Sequence, residues 1–441
     1  MSSKLPIVIL GLALCYGAAA QTPPAVPQAQ SPGAPIVLTL EDAMQRARQY
    51  SQQVYTAGIG AQLAHEDTVQ AKAGLLPTVS GLSQFIYSQP NGTGNASYVS
   101  ADGTRVYNDQ ALVHGEIFNL EKLAERRKAI AAEAVARARA DIAARGLIAT
   151  VVQNYYGMVV AQRKLANAQR SLEEAQRVLD ITQKLEQGGE VARADVIKAE
   201  IQVETRRREV QEAQLALDKA RFGFAVLLFP NFGQEYSVVD NLDTIQPLPP
   251  FSEIQARAGN NNPDIRAAQS LVEQQTHAIA SARAAMLPTL SFDYFFGINA
   301  NQFALRDPDH FRNVGSAAQA QLNIPIWTWG AARSKVRQAE LQLQLARNDL
   351  SFTQRQLLSA LNQFHAEAQV ASSQVASLRH SMELSAESLR LTFLRYQAGE
   401  VTVLELVDAQ STLAQARNAY DDGLVRYRLS LASLQTLTGA F

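Results

Sequence analysis

The chain has 441 residues and a formal net charge of -1, so it carries no basic excess of the kind a nucleic-acid partner requires. Length alone suggests about three ordinary domains. Ala, Gln, Leu, Arg and Glu dominate, however, and only 7% of residues are aromatic, a composition that belongs to long helices.

The first twenty residues have a basic start at Lys4, an apolar stretch from Ile7 to Leu14, and Ala18-Ala19-Ala20 before Gln21. This predicts a Sec-type signal peptide over residues 1–20, cut after Ala20. The apolar run is too short for a membrane anchor. Cys15 is the one cysteine. A lipoprotein would be cut just before a cysteine, yet Leu14 stands where Gly, Ala or Ser is usual; lipidation at Cys15 is therefore the second choice. Cleavage after Ala20 leaves no thiol, hence no disulfide and no cysteine metal site. The longest later apolar run, Phe222 to Phe229, is about half of a membrane-spanning helix. Entry into a membrane would have to use β-strands.

Residues 21–35, rich in Pro, Gln and Ala, read as an extended tether. Two halves follow, 36–236 and 251–441, joined by a linker over 237–250. Leu76-Pro77-Thr78 recurs as Leu287-Pro288-Thr289, and Gln187-Gly188-Gly189-Glu190-Val191 recurs as Gln397-Ala398-Gly399-Glu400-Val401. Nearly equal offsets for two separated motifs predict duplication of the whole unit.

Each half opens with helical periodicity, Glu41 to Gly74 and Ser252 to Ala285, which the Leu-Pro-Thr motif ends. Period-two alternation comes next and predicts β-hairpins over about 76–118 and 287–327. Leu290, Phe292, Tyr294, Phe296 and Ile298 fall on one face; Ser291, Asp293 and Asn299 fall on the other. In the following strand Val314, Ala318, Ala320, Leu322, Ile324 and Ile326 alternate with Gln319, Gln321 and Asn323. The loops over 90–104 and 301–312 are polar. Such strands fit a transmembrane barrel with a wet interior, and Phe85, Tyr87, Tyr107, Phe118, Trp327 and Trp329 stand near strand ends, where an interfacial girdle needs them.

Helical pattern then runs from Leu120 to Gln187 and from Ala331 to Gln397, each on the order of 100 Å long. Gly188, Gly189 and Gly399 turn the chain into return helices. These carry heptads: Val196, Val203, Val210, Leu217 and Phe224 in the first, Leu406, Leu413, Tyr420, Tyr427 and Leu434 in the second. Four strands cannot close a barrel, and an open edge in lipid leaves backbone groups unpaired. The chain must therefore oligomerise, and polar inner faces favour three or more copies over two.

In this order, and duplicated, these motifs resemble the TolC family of outer-membrane efflux proteins over essentially the whole mature chain. The Leu-Pro-Thr entries are joined by Leu322-Asn323-Ile324-Pro325-Ile326-Trp327 and by the run from Ala398 to Gln410. The resemblance implies a mixed α and β fold: four strands per chain complete a twelve-stranded barrel in a homotrimer, and long helices form a periplasmic tunnel. It implies an exit duct in the outer membrane of a Gram-negative cell, touching outer-membrane lipid and serving a tripartite efflux or type I secretion system. A periplasmic adaptor and an inner-membrane pump or ABC transporter would be its partners, with no cofactor. It assigns Glu405 and Asp408 to acidic rings at the pore constriction, and Asp195 and Tyr396 to contacts that close the periplasmic tip. The arginine usual in that lock falls on Val401, and Arg193 and Arg395 are the candidates to replace it.

An enzyme needs convergent acid, base, nucleophile or metal groups. The histidines at positions 65, 114, 277, 310, 365 and 380 are scattered, and no Gly-rich phosphate loop occurs, so no catalytic role is expected. The alternative is a periplasmic or cell-surface coiled-coil protein without a pore, such as an adaptor or adhesin stalk. Such a protein has no need of two amphipathic hairpins.

Overall fold

The computed structural model describes residues 36–87, 105–230, 234–244, 246–306 and 312–439. The expected signal peptide, Cys15, the tether, the first hairpin loop and residues 307–311 of the second lie outside the described residues.

The first half runs β1 (Ile36–Leu38), α1 (Leu40–Tyr50), α2 (Gln52–Ala73), β2 (Thr78–Tyr87), β3 (Arg105–Phe118), α3 (Leu120–Gln187) and α4 (Arg193–Leu228). The second runs β4 (Tyr236–Val238), α5 (Phe251–Asn261), α6 (Pro263–Ala284), β5 (Thr289–Ala300), β6 (Val314–Asn323), α7 (Ala331–Gln397) and α8 (Val403–Thr438). Helices in corresponding places are nearly equal in length: 11 and 11 residues, 22 and 22, 68 and 67, 36 and 36.

Two differences from the sequence expectation concern the opening helices, which break where one continuous helix was read. Ser51 leaves helical geometry (ψ 113°) and its side chain accepts from the Val54 amide, so α2 starts afresh. Asn262 does the same before Pro263, whose ring disfavours helix in the residue ahead of it. A third difference is that the last strand ends at Asn323 rather than near Trp327. Pro325 has no amide to give a ladder, so the apolar alternation of Ile324 and Ile326 continues outside the sheet.

The four long strands form one antiparallel sheet ordered β2-β3-β5-β6, with the two hairpins meeting at the β3–β5 seam. α3 is the central helix. Its first half lies between α2 and α6, as the His65–Glu133 and Arg266–Asp141 pairs show, and Ala124, Ala131 and Ala138 are buried there seven residues apart. Its second half lies between α4 and α8, tied to α8 by Lys164–Asp422 and Glu174–Arg417. α7 flanks α6 and then α8 along the outer edge.

The expected linker is a strap fastened to the helices. β4 pairs in parallel with β1, Ile36 opposite Tyr236, at a core holding Leu38, Val151, Tyr155, Phe224 and Leu242. The Tyr155 hydroxyl donates to the Val239 carbonyl at 2.7 Å, and Arg428 donates to the carbonyls of Asn241 and Thr244. Arg163 of α3 grips Asp240 of the strap through two nitrogens at 2.5 and 2.8 Å, Asp243 at 2.7 Å, and Asp421 of α8 at 3.1 Å.

Candidate functional site

Both helix hairpins end in the same turn. The Glu190 amide donates to the Leu185 carbonyl and the Gly189 amide to that of Glu186; the Glu400 and Gly399 amides repeat this with Arg395 and Tyr396. This double bond satisfies the last carbonyls of each long helix and requires a left-handed residue just past its end. Gly189 (φ 76°) and Gly399 (φ 75°) supply it. Gly188 keeps ordinary right-handed geometry, as its counterpart Ala398 does.

The two tips then pack on each other. Val178, Ala199, Tyr396, Val401, Val403 and Leu406, drawn from α3, α4, α7, α8 and the turn between the last two, form one buried cluster. Inside it the Tyr396 hydroxyl lies 2.7 Å from Thr182 Oγ1, with Tyr396 2% exposed and Thr182 fully buried. Thr182 already donates its one hydrogen to the Val178 carbonyl at 2.8 Å, so Tyr396 is the donor. Burial raises the Tyr396 pKa above the ordinary phenol value, and the nearby Asp195 charge adds to the shift. Asp195 itself is bound by Lys198 at 3.1 Å. Val401, standing where the resemblance expects arginine, is part of the apolar cluster. Arg193 and Arg395 are each occupied across their own turns, with Glu186 and Glu400, both at 3.4 Å.

Glu405 and Asp408 lie in the first two turns of α8, both exposed, with their neighbours Leu406 and Val403 turned into the cluster. Three residues apart, they share a face. The corresponding face of α4 carries Asp195 with its Lys198 partner, so the two tips differ in charge although their turns are alike. Within a single chain no group of three or more His, Cys, Asp or Glu among the described residues is placed to hold a metal ion.

In the sheet the amphipathic patterns are in phase over several rows, most clearly at the end nearer the helices. Thr78, His114, Asp293 and Gln319 form one row, and Glu116, Ser291 and Gln321 another, on the same face. Val79, Val113, Tyr294 and Ala318 form a row of the opposite face, with Leu290 beside Leu322 and Phe292 beside Ala320. The pattern has departures on both faces: Asp109, between Ser83 and Ile298, lies on the apolar face, and Leu112 beside Phe295, together with Leu82, Ile86 and Val106, lies on the polar one. His114 Nδ1 meets Asp293 Oδ1 at 2.6 Å across the seam. A Cβ at Gly297 (φ 155°) would stand 2.2 Å from the Asp109 carbonyl oxygen, so the seam closes there only on glycine. Phe85 and Tyr107 pack at a tilt at one end of the sheet, with ring centroids 4.9 Å apart; Trp327 and Trp329 meet edge to face at the other, 5.9 Å apart.

The sequence profile of the outer membrane efflux protein family matches this chain twice, over residues 43–228 and 255–440. The chain belongs to that family. Among curated relatives, the cobalt-zinc-cadmium resistance protein CzcC of Cupriavidus metallidurans is 26% identical over 301 residues, 67% of each chain. Nodulation protein T of Rhizobium leguminosarum bv. trifolii is 26% identical over 367 residues, 80% of this chain and 75% of that one. The crystal structure of the Campylobacter jejuni CmeC outer membrane channel superposes with a TM-score of 0.79 at 18% identity, covering 91% of this chain and 85% of that one. As an outer membrane efflux protein the chain is an outer-membrane channel component with its long helices in the periplasm, and members of the family are channels rather than enzymes. The reading as a coiled-coil adaptor or stalk without a pore gives way to this membership.

Thr182 and Gly297 escaped sequence reasoning. Neither belongs to a motif, and both matter through a partner more than 180 residues away. Arg163 could have been suspected from the acidic character of the linker, where Asp240 and Asp243 stand with no basic residue between them.

Proposed function

We propose that three copies of this chain form a twelve-stranded barrel continued by a helical tunnel, and that the duct conducts cargo delivered by an inner-membrane pump through a periplasmic adaptor. The observation that carries the reading is the sheet: polar rows at Thr78, His114, Asp293 and Gln319 and at Glu116, Ser291 and Gln321 lie opposite apolar rows, with unpaired edges at both β2 and β6. Strands of 10 to 14 residues are long enough to cross a bilayer at a tilt. Every exposed edge in lipid costs several kcal/mol for each backbone group left unpaired, which copies pairing β2 to β6 would remove.

The helices support the same assembly. Large apolar side chains are exposed on the edge helices, Leu63 on α2, Ile201 on α4, and Leu345 and Phe352 on α7, where the next copy would cover them. Nearly equal helix lengths in the two halves and the repeated motifs support an origin by duplication of the whole unit. At the tip, Tyr396 with Thr182 holds the closed form together while Asp195 sits beside them, and threefold repetition brings Glu405 and Asp408 into a cation-selecting constriction.

The test is extraction of the full-length protein in detergent, SDS gels without heating, and recording in planar bilayers. An oligomer that falls to monomer on boiling, with cation-preferring conductance, is expected. Monomeric protein without conductance would sink the reading.

A further inference from the structure

Every crossing between strand and long helix lies at one end of the sheet. β2 starts there from α2, β3 runs into α3, β5 starts from α6, and β6 leads to α7. Two kinds of side chain gather at that end. The first is apolar and laid open: Ile117 is 62% exposed, Ile326 90%, Trp327 73% and Trp329 89%. The second is basic. Within its first three turns α3 carries Lys122, Arg126, Arg127 and Lys128 against two glutamates, and α7 carries Arg333, Lys335 and Arg337 before its first acid, Glu340. In a chain of net charge -1 this is a strong local segregation.

Helix formation does not account for it. A helix N-terminus is the positive end of the backbone dipole and favours acidic side chains. α7 nevertheless has no acid in its first turn, which holds Arg333. Pairing does not account for it either. Lys122, Lys128 and Arg337 have acidic partners, but the exposed side chains of Arg127, Arg333 and Lys335 have none among the described residues. Cations placed against the helix's own preference and left unpaired are addressed to something outside the chain.

We infer that this end of the sheet is a collar for the anionic headgroups of phospholipids in the periplasm-facing leaflet. The order from sheet to helix is apolar band, tryptophan pair, then arginine and lysine. That sequence reproduces the passage from acyl chains through the interface to the phosphate layer. Arg127 and Arg333 offer guanidinium forks that match phosphate oxygens two at a time. The inference rests on the barrel reading, since only a sheet in the membrane brings headgroups to its end. Near an anionic surface each lysine or arginine strengthens binding about fivefold.

The experiment uses the full-length, delipidated protein reconstituted with equal phosphatidylglycerol and phosphatidylcholine, the lipids retained on repurification being quantified. The wild type is expected to retain phosphatidylglycerol preferentially, and 0.5 M salt to weaken that preference, on the order of the screening between charges at such ionic strength. Arg127→Gln/Arg333→Gln/Lys335→Gln is expected to lower the preference about a hundredfold. The charge-keeping Arg127→Lys/Arg333→Lys variant is expected to retain most of it, which separates charge from folding. Equal retention of both lipids by the wild type, or an undiminished preference in the triple variant, would overturn the collar. So would a triple variant that keeps its lipid preference while its ion selectivity shifts, because those charges would then face the lumen. Failure of the barrel reading shows separately, as a wild type without conductance.

Discussion

Consider the buried hydroxyl pair at the tip. Thr182→Val removes the acceptor and leaves the Tyr396 hydroxyl in an apolar cluster without a partner. An orphaned buried donor costs about 1 to 3 kcal/mol, or roughly 5- to 150-fold in the ratio of closed to open tip for each subunit. Tyr396→Phe removes the donor instead. Thr182 keeps its bond to the Val178 carbonyl, so only the net value of one hydrogen bond is lost, about 0.5 to 1.5 kcal/mol. The double variant has neither hydroxyl and closes on an apolar contact of nearly the same shape, so it should lie close to Tyr396→Phe and well short of the sum. The assay is open probability of the reconstituted channel in planar bilayers, with thermal melts to check folding. The expected order of opening is Thr182→Val above Tyr396→Phe, the double variant no more open than Thr182→Val alone. If Tyr396→Phe opened the channel more than Thr182→Val, or the two effects simply added, the donor assignment would be wrong. If Asp195→Asn exceeded both, the latch would belong to α4 rather than α3.

Replacing Glu405 and Asp408 together with Gln and Asn should weaken cation preference and divalent block without changing folding; reversal potentials under a salt gradient measure this, and unchanged selectivity counts against the ring. Gly297→Val should open the β3–β5 seam near Asp109 and cost on the order of 3 kcal/mol, read as loss of the heat-modifiable oligomer on unheated gels. Burial pushes the phenols of Tyr155 and Tyr236 up to about 12. Folded pKa values raised above the unfolded one give stability that is complete below about pH 10 and lost as the pH climbs toward 12, up to about 2 to 3 kcal/mol for each group. Melts of the wild type between pH 9 and 12 should therefore fall more steeply than those of Tyr155→Phe/Tyr236→Phe; parallel curves would refute the attribution.

Much of this architecture was legible because it is periodic. The long helices were readable over Leu120–Gln187 and Ala331–Gln397 from unbroken helical pattern, and the strands from two-residue alternation that the register carries across the sheet. The breaks in the two opening helices were passed over, although Pro263 resists helix in the residue before it and Ser51 is a capping residue type. The short parallel β1–β4 pair was beyond reach, because three residues at each end of a long separation hold no pattern of their own. At the tip, the resemblance drew attention to Tyr396 and Asp195, while the atom that receives the Tyr396 hydroxyl belongs to Thr182 on another helix. Periodicity states which face of an element is buried; it does not state which buried groups meet.

The strand order β2-β3-β5-β6 has a consequence for assembly kinetics. Because the second hairpin follows the first along one chain, their shared seam closes at the high effective concentration of a covalent tether. In the proposed ring, six free hairpins would need five joining encounters between separate molecules, and three fused pairs need two. On the proposed assembly, dilution therefore slows ring formation far less than it would slow the unfused one, and leaves open edges less time to find each other wrongly.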